Sequence, residues 1–218
     1  ATAVRLEPEQ RFVLHGVSWQ TYNALVDDLE SSAVRLTYDR GKLELMSPSQ
    51  DHERLKTLIG RIVEMFTEEF DISLQSGGST TWRKEDLDRG LEADECYYIQ
   101  HEPQICDRDV IDLSRDPPPD LAVEVEISRS ILDKFSVYAA LRVPEIWRYD
   151  GDSLRVFLLQ SDGTYAESSQ SLNLPQLAPE QVAHFLALRA QKRETEWART
   201  FRRWVIELKS GGGASGAG

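Results

Sequence analysis

The stretch 119–150, PDLAVEVEISRSILDKFSVYAALRVPEIWRYD, limits what this chain can become more than any other. It reads as strand, helix, strand. Residues 121–127 alternate, with Ala122, Glu124 and Glu126 on one face against Val123, Val125 and Ile127 on the other. Acids therefore stand where a core strand expects apolar side chains. Two carboxylates at i and i+2 share a face and raise each other's cost of ionisation unless a cation or basic group lies between them. A divalent metal is the usual answer. The helix that follows, about residues 130–142, has an apolar stripe of Ile131, Phe135, Tyr138 and Leu141. Lys134, three residues after Ile131 and four before Tyr138, lies along that stripe and not on the solvent face. A lysine aimed at the sheet that carries two acids suggests a metal and phosphate site. Periodicity alone supports equally well a salt-bridged or snorkelling lysine beside two partly exposed acids.

At 218 residues the chain suits one globular domain, with or without a terminal appendage. An apolar share of 40% and a charged share of 28% exclude the disordered class. No apolar run approaches a membrane span, and ATAVRLEPEQ lacks the basic and apolar regions of a signal peptide, so no membrane partner and a cytoplasmic location are expected. Cys96 and Cys106 follow neither a CxxC pattern nor a metal-site spacing and are expected to be reduced thiols. The net charge of −12 and pI of about 4.8 argue against broad, charge-driven nucleic-acid binding. The charge is uneven. Residues 181–209 carry seven basic against three acidic side chains, net +4, which leaves −16 for the remainder.

In chain order, Ser18 offers an N-cap to a packing helix with Trp19, Tyr22, Leu25, Val26 and Leu29 at helical spacing. Residues 34–46 carry a hairpin signal around Asp39-Arg40-Gly41. Ser47-Pro48-Ser49 opens a long helix striped by Leu55, Leu58, Ile59, Ile62, Met65 and Phe66. His52 falls near that stripe and reads as a hydrogen-bonded structural residue; Glu53 projects well away from it. Residues 72–75 and 79–83 are two short strands around Gly77-Gly78, expected to pair with each other. Residues 91–99 read as one strand that holds Asp94, although Asp is disfavoured in strands. Residues 101–118 are loop or irregular helix. Val143-Pro144 ends the central helix, and strands from residue 145 turn at Asp150-Gly151 and Asp162-Gly163. A final long amphipathic helix runs from about Pro179, and its stripe would serve a solvated helix, a coiled coil or a dimer contact. The division expected is 1–178 for the main domain, 179–209 for this helix and 210–218 for a flexible tail or linker. There is no internal repeat and no GxxxxGK[ST], GxSxG or HExxH motif.

Hydrolysing a phosphodiester requires neutralising charge in the transition state, generating hydroxide near neutral pH and stabilising the leaving oxygen. One or two Mg²⁺ ions held by Asp94 and Glu124, with the carbonyl of Val125 nearby, would supply the first and third. Lys134 would orient the attacking water and lower its pKa. Mg²⁺ keeps several waters and takes only one or two carboxylates, so few ligands suffice.

The segments GLEADECYYI, PPPDLAVEVEIS and DKFSVYAALRVPEIWRYD, with GKLELMSPSQDHE before them, resemble the Uma-two family of restriction-endonuclease-like proteins, in the PD-(D/E)XK nuclease superfamily. The similarity runs over about residues 12–177. It implies an α/β (α+β) fold, a mixed sheet flanked by helices with a metal site at one sheet edge. The family's first acid matches Asp94 and its second Glu124, which the resemblance makes the metal ligands. The superfamily's lysine commonly lies two residues after that Glu. Glu126 stands there, as an auxiliary acid, and the resemblance suggests that Lys134 fills the space instead. Ala93 replaces a frequent proline, Asp120 is expected to be structural, and Glu53 has the wrong helical phase for a helix-borne acid. The expected activity is a Mg²⁺-dependent endonuclease on DNA, with Mn²⁺ able to replace Mg²⁺. The rival is a catalytically inactive nuclease-fold module that binds nucleic acid or protein, supported by the −12 charge and predicting no metal at Asp94 and Glu124. A homodimer through the C-terminal helix is compatible with either.

Overall fold

Turn and cap chemistry organise the first third of the chain in the computed structural model, which describes residues 6–29, 32–108 and 110–212. Strand β1 (Gln10–His15) leads into α1 (Trp19–Asp28), whose Ser18 cap accepts from the Thr21 amide as expected. Strands β2 (Arg35–Asp39) and β3 (Lys42–Ser47) form the expected hairpin. Its two turn residues, Arg40 and Gly41, both have positive φ, the condition of a two-residue turn that matches strand twist. Helix α2 (Gln50–Phe70) starts from Ser49, whose hydroxyl accepts from the His52 amide.

The next elements are β4 (Gln75–Ser76), β5 (Thr81–Lys84), β6 (Arg89–Glu92), β7 (Glu95–Tyr98) and the short α3 (Glu102–Ile105). Then come β8 (Leu121–Val125), α4 (Lys134–Leu141), β9 (Glu145–Tyr149), β10 (Leu154–Leu159) and β11 (Tyr165–Ser168). Helices α5 (Pro179–Leu188) and α6 (Glu194–Gly212) close the chain. The strands make a five-stranded sheet, β1-β3-β2-β6-β5, and a six-stranded one, β11-β10-β9-β8-β7-β4. The pairing of β8 with β9 across α4 is parallel; β7 runs antiparallel on the other side of β8. This is the expected mixed α+β architecture with a long C-terminal helix.

Three expectations are corrected. The segments around Gly77-Gly78 do not pair with each other: β4 joins β7 in the larger sheet and β5 joins β6 in the smaller. Gly77 makes that hand-over possible, because its amide donates to the Cys96 carbonyl and a Cβ there would stand 2.6 Å from Cys96 Sγ. The expected strand 91–99 is likewise two strands in two sheets, broken at Ala93 and Asp94. Finally, the expected helix from Pro179 is two helices. The amides of Arg189, Ala190 and Gln191 fall back to carbonyls three residues earlier, which tightens and ends α5. After the turn, α6 packs on α2 and α5 and buries Trp197, Phe201 and Val205 in the main core. Trp197, Phe201 and Val205 of its apolar stripe are thus covered within the same chain. Gly211 and Gly212 are the last turn of α6, and the rest of the expected tail lies outside the described residues.

The faces of β8 explain the core. Leu121, Val123 and Val125 join the cluster built by α2, α5 and α6, whereas Ala122 faces the cluster of α4, β5 and β6. Glu124 shares Ala122's face and, like every residue of β8, is buried. Cys96 and Cys106 are both free thiols.

Candidate active site

Asp94 occupies the junction where the chain leaves β6 in one sheet and enters β7 in the other, with no solvent exposure. A residue between strands owes no ladder pairing, which removes the objection to Asp in a strand. Its Oδ2 accepts from the Val125 amide at 2.7 Å, so the carboxylate is tied to the residue next to Glu124. Its Oδ1 accepts from His52 Nε2 at 2.9 Å. The other ring nitrogen, Nδ1, donates to Glu9 Oε1, also at 2.9 Å. Ionised carboxylates only accept, so both ring nitrogens must carry hydrogen and His52 is an imidazolium. Burial alone would discharge it, but the bonds and charges of Asp94 and Glu9 prevail and raise its pKa to about 9. Asp94 mirrors this: burial pushes it up, yet His52, Lys134 and the Val125 amide hold it at about 2. Glu9 is also held at about 2, where burial is outweighed by His52 and Ser128.

Glu124 is the second acid. Lys134 Nζ donates to its Oε2 at 2.6 Å, and the Tyr138 hydroxyl donates to its Oε1. Burial, with Asp94's charge adding to it, raises Glu124 above the ordinary carboxylate range, against the pull of Lys134. Burial works against the charge on Lys134 too, but Glu124 and Asp94 more than restore it and raise its pKa. The pair is thus a lysine ammonium shared electrostatically by two buried acids.

Lys134 reaches this position because the helix starts later than expected. Residues 130–133 are not helical, since carboxylates claim three of their amides first: Glu126 takes that of Ser130 at 2.8 Å, and the buried Glu44 takes those of Ile131 and Leu132 at 2.6 and 3.1 Å. Glu9 secures Ile127 and Ser128 in the same way. Asp133 then caps α4 by accepting from the Phe135 and Ser136 amides, which makes Lys134 the first helical residue. Glu44 is itself paired with Arg11 at 2.7 Å.

The fold therefore brings Asp94, Glu124 and Lys134 together and turns Glu126 aside, towards Ser130 and, at 3.7 Å, Arg148. Asp120 lies apart, accepting from the Ile99 and His101 amides. Glu53 lies outside as well, paired with Arg35 and Lys56. Four contributors escaped the sequence reading. Tyr138 had a signal, because it lies four residues after Lys134 on one helix face. Glu44 had a weaker one, an acid between Leu43 and Leu45 on a strand. Glu9 had none. Nor did Glu92, which burial lifts to about 7, with Asp94 adding and Arg35, 3.0 Å away, opposing.

A cavity of about 540 Å³ opens against Glu124 and Lys134, bounded by Arg11, Glu126, the segment 129–135 and Arg148. Within reach of it lie two solvent-accessible cations, Arg129 and Arg148.

A family model described as "Putative restriction endonuclease", that of Uma2, matches residues 19–191. The chain belongs to the Uma2 family. No curated protein matches it. Restriction-endonuclease-like nucleases generally use divalent metals. Among the described residues no group of three or more His, Cys, Asp or Glu side chains converges as a cage. The donor chemistry nevertheless fits Mg²⁺, which needs only one or two carboxylates and completes its shell with water. Three buried acids, Asp94, Glu124 and Glu9, face two cations, the Lys134 ammonium and the His52 imidazolium, so the group is short of positive charge, and His52, protonated and engaged with Asp94 and Glu9, is unavailable as a ligand.

Proposed function

We propose that this Uma2 chain is a Mg²⁺-dependent endonuclease that hydrolyses phosphodiester bonds in DNA, with Mn²⁺ able to replace Mg²⁺. The observation that carries this reading is the 2.6 Å contact of Lys134 with Glu124 beside Asp94, because it supplies from the helix the lysine that the strand lacks at Glu126. Asp94 and Glu124 would hold the metal, which when bound would neutralise phosphate charge and lower the pKa of a water. Lys134, with its side chain mostly buried yet bordering the cavity, donates to the attacking water and stabilises charge on the phosphoryl oxygens. Tyr138 fixes the rotamer of Glu124, and the imidazolium of His52 fixes that of Asp94. Glu126 acts as an auxiliary acid that holds Arg148 and the Ser130 amide at the cavity edge.

The test is nicking or linearisation of a plasmid with and without Mg²⁺, next to calorimetric titration of Mg²⁺ into the protein. Asp94→Ala, Glu124→Ala and Lys134→Ala should each lower cleavage by roughly 10²–10³-fold, and Asp94→Ala should abolish the metal heat. Unchanged cleavage in Asp94→Ala and Glu124→Ala would end the proposal. A wild type that takes up no metal and cuts nothing would favour the inactive scaffold instead.

A further inference from the structure

The cavity at Glu124 is lined by both charged and apolar side chains. A face that grips duplex DNA neutralises many phosphates with Lys and Arg, and this acidic chain commits most of its nearby cations elsewhere. Arg11 is sealed between Glu44 and Glu9, and Lys134 sits on Glu124. At the cavity two guanidinium groups remain. Arg129 is exposed and makes no ion pair or side-chain hydrogen bond among the described residues. Among the described residues Arg148 makes one ion pair, with Glu126 at 3.7 Å, and its guanidinium is steadied over the rings of Phe135 and Phe157 at 5.2 and 5.0 Å. Beside them Ile131 is 63% exposed on the cavity wall, one of six large apolar side chains left exposed among the described residues.

Two arginines, an apolar side chain and about 540 Å³ of concave space match one nucleotide unit, within the range of small-ligand pockets. They do not match a continuous double helix. A base inside a duplex cannot enter a concavity without leaving its stack, which costs a few kcal/mol, and this cost is least where the strand is already single. We infer that the cavity bounded by Arg129, Ile131, Lys134 and Arg148 receives an unpaired nucleotide next to the scissile bond. The substrate class is therefore single-stranded or frayed DNA, with Arg129 on a flanking phosphate and Arg148 and Ile131 against the extruded nucleotide. This rests on the nuclease reading for the identity of the ligand and adds to it the strandedness.

The test separates binding from cleavage. Fluorescence anisotropy in EDTA, where no cutting occurs, compares a labelled short single strand, the same sequence as a blunt duplex, and the duplex with an unpaired overhang. The single strand and the overhang should bind at least about tenfold more tightly than the blunt duplex, since roughly 1.4 kcal/mol separates them even at the low end of the unstacking cost. Arg129→Ala, an exposed position that leaves the fold intact, should weaken single-strand binding and reduce the salt slope by about 0.7, the share of one phosphate contact. Arg148→Lys keeps the charge but loses the planar group, and it should weaken the single strand more than the duplex. Equal or tighter binding of the blunt duplex, no binding of any oligonucleotide, or an Arg129→Ala protein that binds as the wild type does would overturn the inference. Cleavage with Mg²⁺ is scored separately. Duplex cutting without strand preference would sink this inference and leave the nuclease reading standing, whereas tight single-strand binding through Arg129 with no cutting would do the reverse.

Discussion

His52 holds a proton between two carboxylates, Asp94 and Glu9, in a site without solvent exposure. Its pKa rises on folding from 6.5 to about 9, so its contribution is fully present below pH 6.5 and lost as pH climbs through about 9. The magnitude is about 3 kcal/mol for a shift of this size. Denaturant unfolding of the metal-free protein should therefore show stability falling between these pH values. His52→Leu, less stable at neutral pH, should show a flatter profile across the same window; an identical slope would remove His52 as its source. A second residue-scale outcome concerns Tyr138. Tyr138→Phe takes a buried donor from Glu124, and an unsatisfied buried acceptor costs about 1–3 kcal/mol. Unfolding midpoints check this, and an unchanged midpoint would mean that water replaces the hydroxyl.

At the scale of elements, the start of α4 and the docking of α6 matter most. Helix α4 begins where it does because Glu126 and Glu44 take the amides of residues 130–132 in the preceding loop, while Asp133 caps those of Phe135 and Ser136 in the first turn. The amides of Ile131 and Leu132 are claimed by Glu44 from β3, a distant partner that no local propensity reports. Helix α6 lies over α2, with the Trp197 indole donating to the Phe185 carbonyl at 2.6 Å and Arg202 reaching Glu68 and Glu69. Phe201, with no exposed surface, should cost about 3–5 kcal/mol when changed to Ala. Thermal melting measures that loss, and size-exclusion chromatography should show no change of oligomeric size. A smaller particle with stability intact would mean that the stripe is an intermolecular contact after all.

For the whole molecule, the two sheets share a cluster in which Trp82 and Leu91 of the smaller sheet meet Ala122, Tyr138 and Ile146 around the larger. The site sits at this seam, since Asp94 is the residue by which the chain passes between sheets. Unfolding is therefore expected to be a single transition, with tryptophan fluorescence and far-ultraviolet circular dichroism giving coincident curves. Two separated transitions would show that the sheets are independent units. The acidic surface fits this scale too: it leaves attraction for nucleic acid to a few cations near the site instead of to the overall field.

Much of this was legible in the residues themselves. Alternation in 121–127 placed Glu124 opposite Val123 and Val125, and the spacing of Lys134 and Tyr138 put both on one face of α4, because strand and helix periods are local geometry. The Arg40-Gly41 turn and the Ser18 and Ser49 caps were equally local. What only the tertiary structure decided was partnership across distance. That Gly77 hands the chain to a second sheet, that Asp94 breaks a strand to do so, and that Glu9 closes a charged triad 43 residues from His52 depend on which backbone and side-chain groups meet once the core is packed. Burial makes those meetings compulsory, since an unpaired charge or amide inside costs more than the contacts around it return.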